Sequence, residues 1–370
     1  MSIVAGLVGV IMIVVVLADA FLTIILPRRV VGPIRLTSLF YRLTWQPYRS
    51  VASRMHNGGT RESFLGFFGP LSLLALVAMW AVGLLLGFAL LQYAAGSSLA
   101  GVDANPGFGT DVYMSGTTFF TLGLGDVTPH SALARLLAVV EAGMGFAFLA
   151  LIIGYLPALN QAFSRREVNV SLLDARAGSP PTAGELLRRH GVGYDETSVV
   201  AFLSEWERWS AELLESQLSY PVLCFFRSQH EHQSWLTAIT AILDTCALLM
   251  AGGKGPPARQ ARLTFAIARH ATVDLSQIIR AKPSPLKYDR LPPEDLTKLL
   301  AELAGVGIPL KNDAQMWQEL AKLRDMYEPY VHAMAESIVV DLPPWIPTDG
   351  SSDAWTTTAW ENTNVRTAGD

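Results

Sequence analysis

The residues with the clearest chemical role lie between positions 121 and 129, in the run Thr-Leu-Gly-Leu-Gly-Asp-Val-Thr-Pro. Backbone carbonyl oxygens can replace the water around a cation when successive C=O groups turn toward one axis. Such a backbone needs positive φ at alternate positions, which glycine adopts at little cost. Gly123 and Gly125 have this spacing. The run therefore predicts stacked rings of carbonyl oxygens that hold a dehydrated cation.

The side chains of this run suit the same role. The Thr121 hydroxyl would add one more oxygen ring at the inner end, whereas Leu122 and Leu124 would point away from the axis into the surrounding packing. Short glycine motifs also occur by chance in a chain of this length. A simple turn between two helices is therefore the alternative interpretation.

The run resembles the selectivity filter of the potassium channel superfamily, usually written T-V-G-Y-G-D. Leu122 replaces the usual Val, and Leu124 replaces the usual Tyr, whose hydroxyl braces the filter in the family. A G-L-G filter is known among two-pore-domain potassium channels. The resemblance implies a channel with K⁺ as the permeant ion. An enzyme is not expected, because no nucleophile-base pair, carboxylate dyad or phosphate loop stands out in the C-terminal part of the chain, and no cofactor or nucleic-acid partner is expected.

A short pore helix is expected before the filter, after a loop that would form the outer turret over residues 99–109. Thr110 or Asp111 would cap this helix, which would run through Phe120. Its C-terminal end would point into the membrane, where the negative end of the helix dipole favours a cation.

Filter support is implied by the family resemblance at two further positions. Tyr113 falls where many members place an aromatic donor to the filter aspartate, which is Asp126 here. Thr117 falls where some members carry a buried glutamate, so that carboxylate pairing is absent from this chain.

Gly145 falls on the position of the family's gating hinge, and Gly143 lies two residues earlier. Glycine inside a helix favours bending, but small residues also permit close contact between membrane helices, so both interpretations are open. Two ionisable residues lie within apolar segments, where they usually face protein or water. Glu141 would line the pore or bond a neighbouring helix, and Asp19 would pair with an arginine.

Composition indicates a membrane protein. Of 370 residues, 51% are hydrophobic and 16% are charged, with a mean hydropathy of +0.31. Three apolar stretches exceed the roughly 20 residues that a helix needs to cross a bilayer. They predict spanning helices over residues 3–26, 67–93 and 136–159. A shorter apolar stretch at 235–251 contains Asp244 and is interpreted as a buried core helix.

Basic residues predict the orientation, because Lys and Arg beside spanning helices remain on the cytoplasmic side. Seven arginines lie between the first two helices, namely Arg28, Arg29, Arg35, Arg42, Arg49, Arg54 and Arg61. The N-terminus would thus lie outside and the C-terminal domain in the cytoplasm of a cell (inner) membrane. A cleavable signal peptide, with a small-residue site at 18–20, is the competing interpretation of the first helix.

A segment bounded by Pro33 and Pro47 would lie along the membrane surface and contact anionic lipid through the arginines of residues 28–61. Only one G-x-G-D motif occurs in the chain, whereas four filter loops must surround one axis. A homotetramer is therefore expected.

Helical periodicity dominates the region after the third spanning helix. Asn312 with Gln315 resembles a capping box, and Pro329 should kink or split the helix around it. Cys224, His230, Glu231 and His232 suggest a metal site, but solvated histidines are the favoured interpretation. The two cysteines are expected to be reduced thiols. The glycine fingerprint of a dinucleotide-binding domain is absent, and the regulatory ligand stays unknown.

The sequence thus predicts an all-α membrane protein with three transmembrane helices, a re-entrant pore helix and filter, and an all-α cytoplasmic domain. The expected divisions are residues 1–66, 67–164, 165–342 and a disordered tail at 343–370. The expected function is a potassium channel gated by its inner helix and modulated by the cytoplasmic domain. A non-selective cation channel, or a membrane-anchored sensor or scaffold with a vestigial pore, are the alternatives.

Overall fold

A computed structural model describes residues 2–26, 35–55, 58–96, 99–100, 107–228, 233–284, 288–308 and 310–347. Within these ranges the chain is built almost entirely from helices. In chain order they are α1 (Ser2–Ala20), α2 (Leu36–Ala52), α3 (Gly58–Ala94), α4 (Phe108–Phe119), α5 (Ala132–Ala177), α6 (Ala183–Gly191), α7 (Glu196–Ser219), α8 (Trp235–Gly252), α9 (Gly255–Ile279), α10 (Pro293–Gly305), α11 (Ala314–Asp325) and α12 (Glu328–Ile338).

The described residues also form two short strands of two residues each. β1 (Leu99–Ala100) pairs antiparallel with β2 (Thr128–Pro129), so the segment after α3 is joined to the segment before α5. A π-helical turn, Phe21–Ile25, continues α1, and a 3₁₀ turn, Pro221–Phe225, follows α7.

The chain divides into two compact units. The first contains Met1–Tyr48 and Phe67–Gln161, and the second contains Arg49–Gly66 and Ala162–Asp370. Residues 49–66 group with the second unit. The four segments expected from the sequence stay a prediction.

Four helices among the described residues are long and apolar enough to cross a membrane: Ile3–Ile25, Gly58–Ala94, Ala132–Ala177 and Trp235–Gly252. The first three match the three predicted spans, although the first ends one residue earlier, α3 begins earlier, and α5 extends past the predicted span at both ends. In the fourth, 89% of the apolar window is buried inside the protein, against 28%, 44% and 11% in the others. The interpretation of α8 as a core helix is therefore confirmed.

The core of the first unit lies where α1 and α3 meet. Trp80, Leu84 and Phe88 of α3 are buried against Ile13 and Val16 of α1. Glycines bring the two backbones close, as small residues do between membrane helices. A Cβ added at Gly9 would lie 2.7 Å from the Gly87 carbonyl oxygen, and one at Gly87 would lie 2.6 Å from Cγ1 of Ile13.

The core of the second unit surrounds α8, which packs against α6, α9, α11 and α12. One charged cluster lies inside this core. Arg290 donates to Asp244 at 2.5 Å and to Glu328 at 3.2 Å, and Tyr327 also donates to Asp244 at 2.5 Å. The charge inside α8 is thus matched by an arginine. Cys224 and Cys246 are buried free thiols, as expected for reduced cysteines.

Several local expectations need correction. The N-cap of α4 is Gly107, and Asp111 lies buried within the helix, so neither Thr110 nor Asp111 caps it. Pro47 was expected to end its segment but lies inside α2. A proline removes one backbone hydrogen bond and does not always end a helix. The cap of α11 is Asp313, one residue after the predicted Asn312.

Other expectations concern residues beyond those described. Arg28, Arg29 and Pro33 lie outside the described residues, as do His230, Glu231 and His232 and most of the predicted tail, from residue 348 onward. The predicted split near Pro329 is confirmed, since α11 ends at Asp325 and α12 begins at Glu328.

Candidate ion-conduction site

The backbone that follows α4 alternates in handedness. Thr121, Gly123 and Gly125 have φ values of +57°, +57° and +77°, respectively. Glycine adopts this region freely, whereas a β-branched residue does so only when its surroundings hold it there. The alternation therefore includes Thr121, which the sequence pattern alone did not predict. We call residues 121–125 the candidate filter.

The candidate filter is attached to the C-terminal end of α4. The amides of Leu122 and Gly123 both donate to the Thr117 carbonyl oxygen, at 2.7 and 3.2 Å. The Thr117 hydroxyl turns back to the Met114 carbonyl oxygen of its own helix, at 3.0 Å. Thr117 thus contributes to this site through its backbone, because its carbonyl holds the first turn of the candidate filter.

The C-terminal end of the candidate filter is also braced from α4. The Tyr113 hydroxyl donates to Oδ2 of Asp126 at 2.7 Å. Beyond it, Arg135 donates through Nε to the Pro129 carbonyl oxygen at 3.2 Å. The two leucine side chains of the candidate filter remain 63% and 62% exposed, so this chain alone does not supply the packing expected around Leu122 and Leu124.

Gly143 and Gly145, the two hinge candidates of α5, differ in their surroundings. A Cβ added at Gly145 would overlap the Phe119 carbonyl oxygen at the end of α4. One added at Gly143 would meet nothing within 4 Å. Gly145 therefore allows α5 to pass close to the last turn of α4, and Gly143 has no comparable contact.

Glu141 bonds a neighbouring helix. Its side chain is fully buried, and its Oε1 is hydrogen-bonded to the Ser115 hydroxyl of α4. Ser115 also lies 2.8 Å from the Leu85 carbonyl oxygen of α3. The sequence contained one signal for this contact, which is a charged residue in an apolar helix, but nothing in it identified the partner.

Asp19 is bound by neutral donors. Its carboxylate accepts from the amide and hydroxyl of Thr37, at 3.1 and 2.6 Å, and from Nε1 of Trp80 at 3.0 Å. Arg35 donates to Thr23 instead, at 3.1 Å. Among the described residues, Thr37 and Trp80 bind Asp19, and the expected arginine partner is not found. Asp19 holds the first turn of α2 against α1 and α3.

In these features a short helix ends at a backbone of alternating handedness between two long apolar helices, which is the arrangement expected of a membrane pore element. The comparisons agree with this class. Residues 74–161 match the family model described as "Ion channel". This part of the chain is similar to that ion channel family, in agreement with the resemblance to the potassium channel superfamily, and the chain is an all-α membrane protein.

One curated relative matches over a larger region. The chain is 26% identical to the "Uncharacterized membrane protein YdjJ" of Bacillus subtilis (strain 168) over 219 residues. The alignment covers 58% of this chain and 60% of the relative, so the chain spans less than two thirds of that protein's length. No solved structure matches the chain at a significant level.

Proposed function

We propose that four copies of this chain form a potassium-selective channel that conducts K⁺ through residues 121–125. The observation that carries the proposal is the positive φ at Thr121, Gly123 and Gly125. Alternating handedness turns successive carbonyl oxygens to the same side, which is the arrangement that replaces a hydration shell. The preceding helix, α4, would direct the negative end of its dipole toward the ion.

Exposed apolar side chains near this segment support assembly around an axis. Leu122 and Leu124 are joined by large exposed residues along α5, among them Val139 at 71%, Phe146 at 68% and Ile153 at 63%. Some of these would face lipid. The leucines, however, belong to the candidate filter itself, which can surround an axis only together with the filters of other copies. Neighbouring copies would therefore cover them. Ion channels of this family assemble as oligomers, and four copies would close one ring.

The orientation proposed from the sequence also suits α2. Arg42 and Arg49 are exposed on this helix together with Leu39 and Leu43, at 41% and 63%. Such a face suits the headgroup region of a membrane that contains anionic lipid. We therefore place α2 at the cytoplasmic surface, the N-terminus outside, and the second unit in the cytoplasm.

The second unit would modulate opening through the extension of the inner helix. Within that unit, Arg166 of α5 is 3% exposed and donates to the carbonyl oxygens of Leu223 and Phe226, at 2.8 and 2.9 Å. Nε1 of Trp209 donates to the Arg166 carbonyl oxygen at 3.3 Å. A conformational change in this unit would therefore act on α5, the helix proposed to gate the pore.

The test is the reversal potential of purified full-length protein in a planar bilayer with K⁺ on one side and Na⁺ on the other. A reversal near the K⁺ equilibrium potential is expected for the wild type. Gly123→Ala should abolish the current, because alanine is disfavoured at positive φ by about 1–2 kcal/mol in each copy. Gly66→Ala is the matched control, since that helical glycine has open space around it. A monomer or dimer in lipid would contradict the proposal.

A poorly selective cation channel is the second candidate. The observation that favours it is Leu124, because a leucine has no hydroxyl with which to brace the filter. A reversal potential near zero, with current still lost in Gly123→Ala, would support this candidate.

A further inference from the structure

A chain of hydrogen bonds connects α3 and α5 through α4, the helix that precedes the candidate filter. It begins at Glu141 of α5, passes through the Ser115 hydroxyl of α4, and ends at the Leu85 carbonyl oxygen of α3. Both side chains are 0% exposed. The chain thus joins the helix that carries the candidate filter to both long helices that flank it.

The number of available protons constrains the charge of Glu141. Ser115 has one hydroxyl proton, whereas a backbone carbonyl and an ionised carboxylate can only accept. With an ionised Glu141, one of the two contacts of Ser115 would bring two oxygens together without a proton between them. With a protonated Glu141, the acid donates to Ser115 and Ser115 donates to Leu85. Every contact is then satisfied.

The surroundings of Glu141 offer no counter-charge among the described residues. On α4, Asp111 is also acidic, and the neutral Tyr113 hydroxyl is bonded to Asp126. Arg135 of α5 is exposed and bonds Pro129, and Asp19 of α1 is occupied by Thr37 and Trp80. The charged residues of α3, Arg61 and Glu62, lie in its first turns.

The second carboxyl oxygen of Glu141 leads to the same conclusion. Oε2 is buried without a hydrogen-bond partner within the described part of the chain. A buried and unpaired negative charge is far more costly than a buried neutral acid, especially within a membrane.

We infer that Glu141 is a neutral carboxylic acid and that the chain Glu141–Ser115–Leu85 positions α4, and with it the candidate filter, between α3 and α5. Ser115 lies two residues before Thr117, whose carbonyl oxygen holds the amides of Leu122 and Gly123. A displacement of α4 would therefore displace the candidate filter. Glu141 is a positioning residue. The protonation is independent of ion conduction, whereas the positioning of a filter rests on the proposed function.

Infrared difference spectroscopy on full-length protein in lipid tests the protonation. At neutral pH the wild type should show the C=O stretch of a protonated carboxyl group, sensitive to D₂O, that is missing from Glu141→Gln. Glu212→Gln, on the exposed surface of α7, is the matched control and should keep this band. A difference spectrum between wild type and Glu141→Gln that shows carboxylate bands instead would overturn the inference.

Reversal potentials of two variants test the positioning. Glu141→Gln keeps a donor for Ser115, so its K⁺ over Na⁺ selectivity should stay within about twofold of the wild type. Ser115→Ala removes the hydroxyl that connects the three helices. Because a hydrogen bond of typical net strength is lost, its selectivity should fall severalfold. Equal selectivity in both variants would overturn the positioning role. A wild type without current would contradict the proposed function instead, and the infrared band would still decide the protonation.

Discussion

The hydroxyl of Tyr113 donates a 2.7 Å hydrogen bond to the carboxylate of Asp126. Tyr113 lies on α4, before the candidate filter, and Asp126 directly follows the last filter glycine. The Thr117 carbonyl oxygen holds the other end through the amides of Leu122 and Gly123. One short helix therefore fixes both ends of the segment proposed to conduct ions.

Removing the phenolic hydroxyl should loosen the C-terminal end of the filter. Tyr113→Phe keeps the ring and deletes the donor to Asp126, so we expect a severalfold lower K⁺ over Na⁺ permeability ratio, measured from reversal potentials. Tyr288→Phe is the control, because Tyr288 lies 58% exposed in the second unit. An unchanged ratio in Tyr113→Phe would show that this bond does not hold the filter.

Two substitutions distinguish a hinge from a close contact in α5. Gly145→Ala would place a methyl group against the Phe119 carbonyl oxygen and should destabilise the pore by about 1–3 kcal/mol, as overpacking does. Gly143→Ala has open space and should stabilise the helix by about 0.5–1 kcal/mol. Thermal unfolding of the detergent-solubilised protein measures both effects.

The same pair of variants tests gating. If Gly143 is the hinge, Gly143→Ala should lower the open probability in bilayer recordings although it stabilises the fold. An open probability equal to that of the wild type would show that Gly143 is not a hinge. Gly145 would then be the remaining hinge candidate, although its contact with Phe119 already gives it a packing role.

The buried charged cluster of the second unit should be sensitive to loss of its arginine. Arg290→Met leaves Asp244 and Glu328 buried without their shared partner and should destabilise the unit by about 3–5 kcal/mol. Lys322→Met is the control, because the Lys322 side chain is 74% exposed, and exposed pairs contribute about 0–1 kcal/mol. Urea unfolding of the full chain measures both, and similar midpoints would contradict the expectation.

Acid should weaken the contact at the start of α6. The hydrogen bond from Arg188, supported by Arg189, lowers the pKa of the Glu185 carboxyl. A carboxyl with a lowered folded pKa stabilises the fold fully above its unfolded pKa of about 4.3, and this contribution is lost as the pH falls through the folded pKa. Glu185→Gln should therefore flatten the acid side of the stability curve. Parallel curves for the two proteins would contradict this assignment.

The membrane helices were predictable from sequence, because an uninterrupted apolar length is a direct requirement of the bilayer. Their ends were not. α3 begins at Gly58 and α5 continues to Ala177, since charged residues such as Arg61 and Arg166 do not stop a helix once tertiary contacts hold it. The α4 cap was misplaced for a related reason. Gly107 caps through its backbone conformation, and composition gives little indication of this.

The site was predictable to the extent that it depends on local backbone. Two glycines at alternate positions indicate positive φ, whereas Thr121 adopts it only because the end of α4 holds it. Partners across helices were harder to predict. Tyr113 and Asp126 were paired by family resemblance, but the Ser115 partner of Glu141 and the Trp80 partner of Asp19 depend on how three helices pack, which no single segment encodes.

The glycine contact between α1 and α3 constrains how these two helices can diverge in related proteins. Gly87 leaves no room for a methyl group beside Ile13, and Gly9 leaves none beside the Gly87 backbone. A change at one of these positions therefore requires a compensating change on the other helix. Among homologues, a larger residue at position 87 should accompany a smaller one at position 13, so the two helices should show coupled substitutions across this interface.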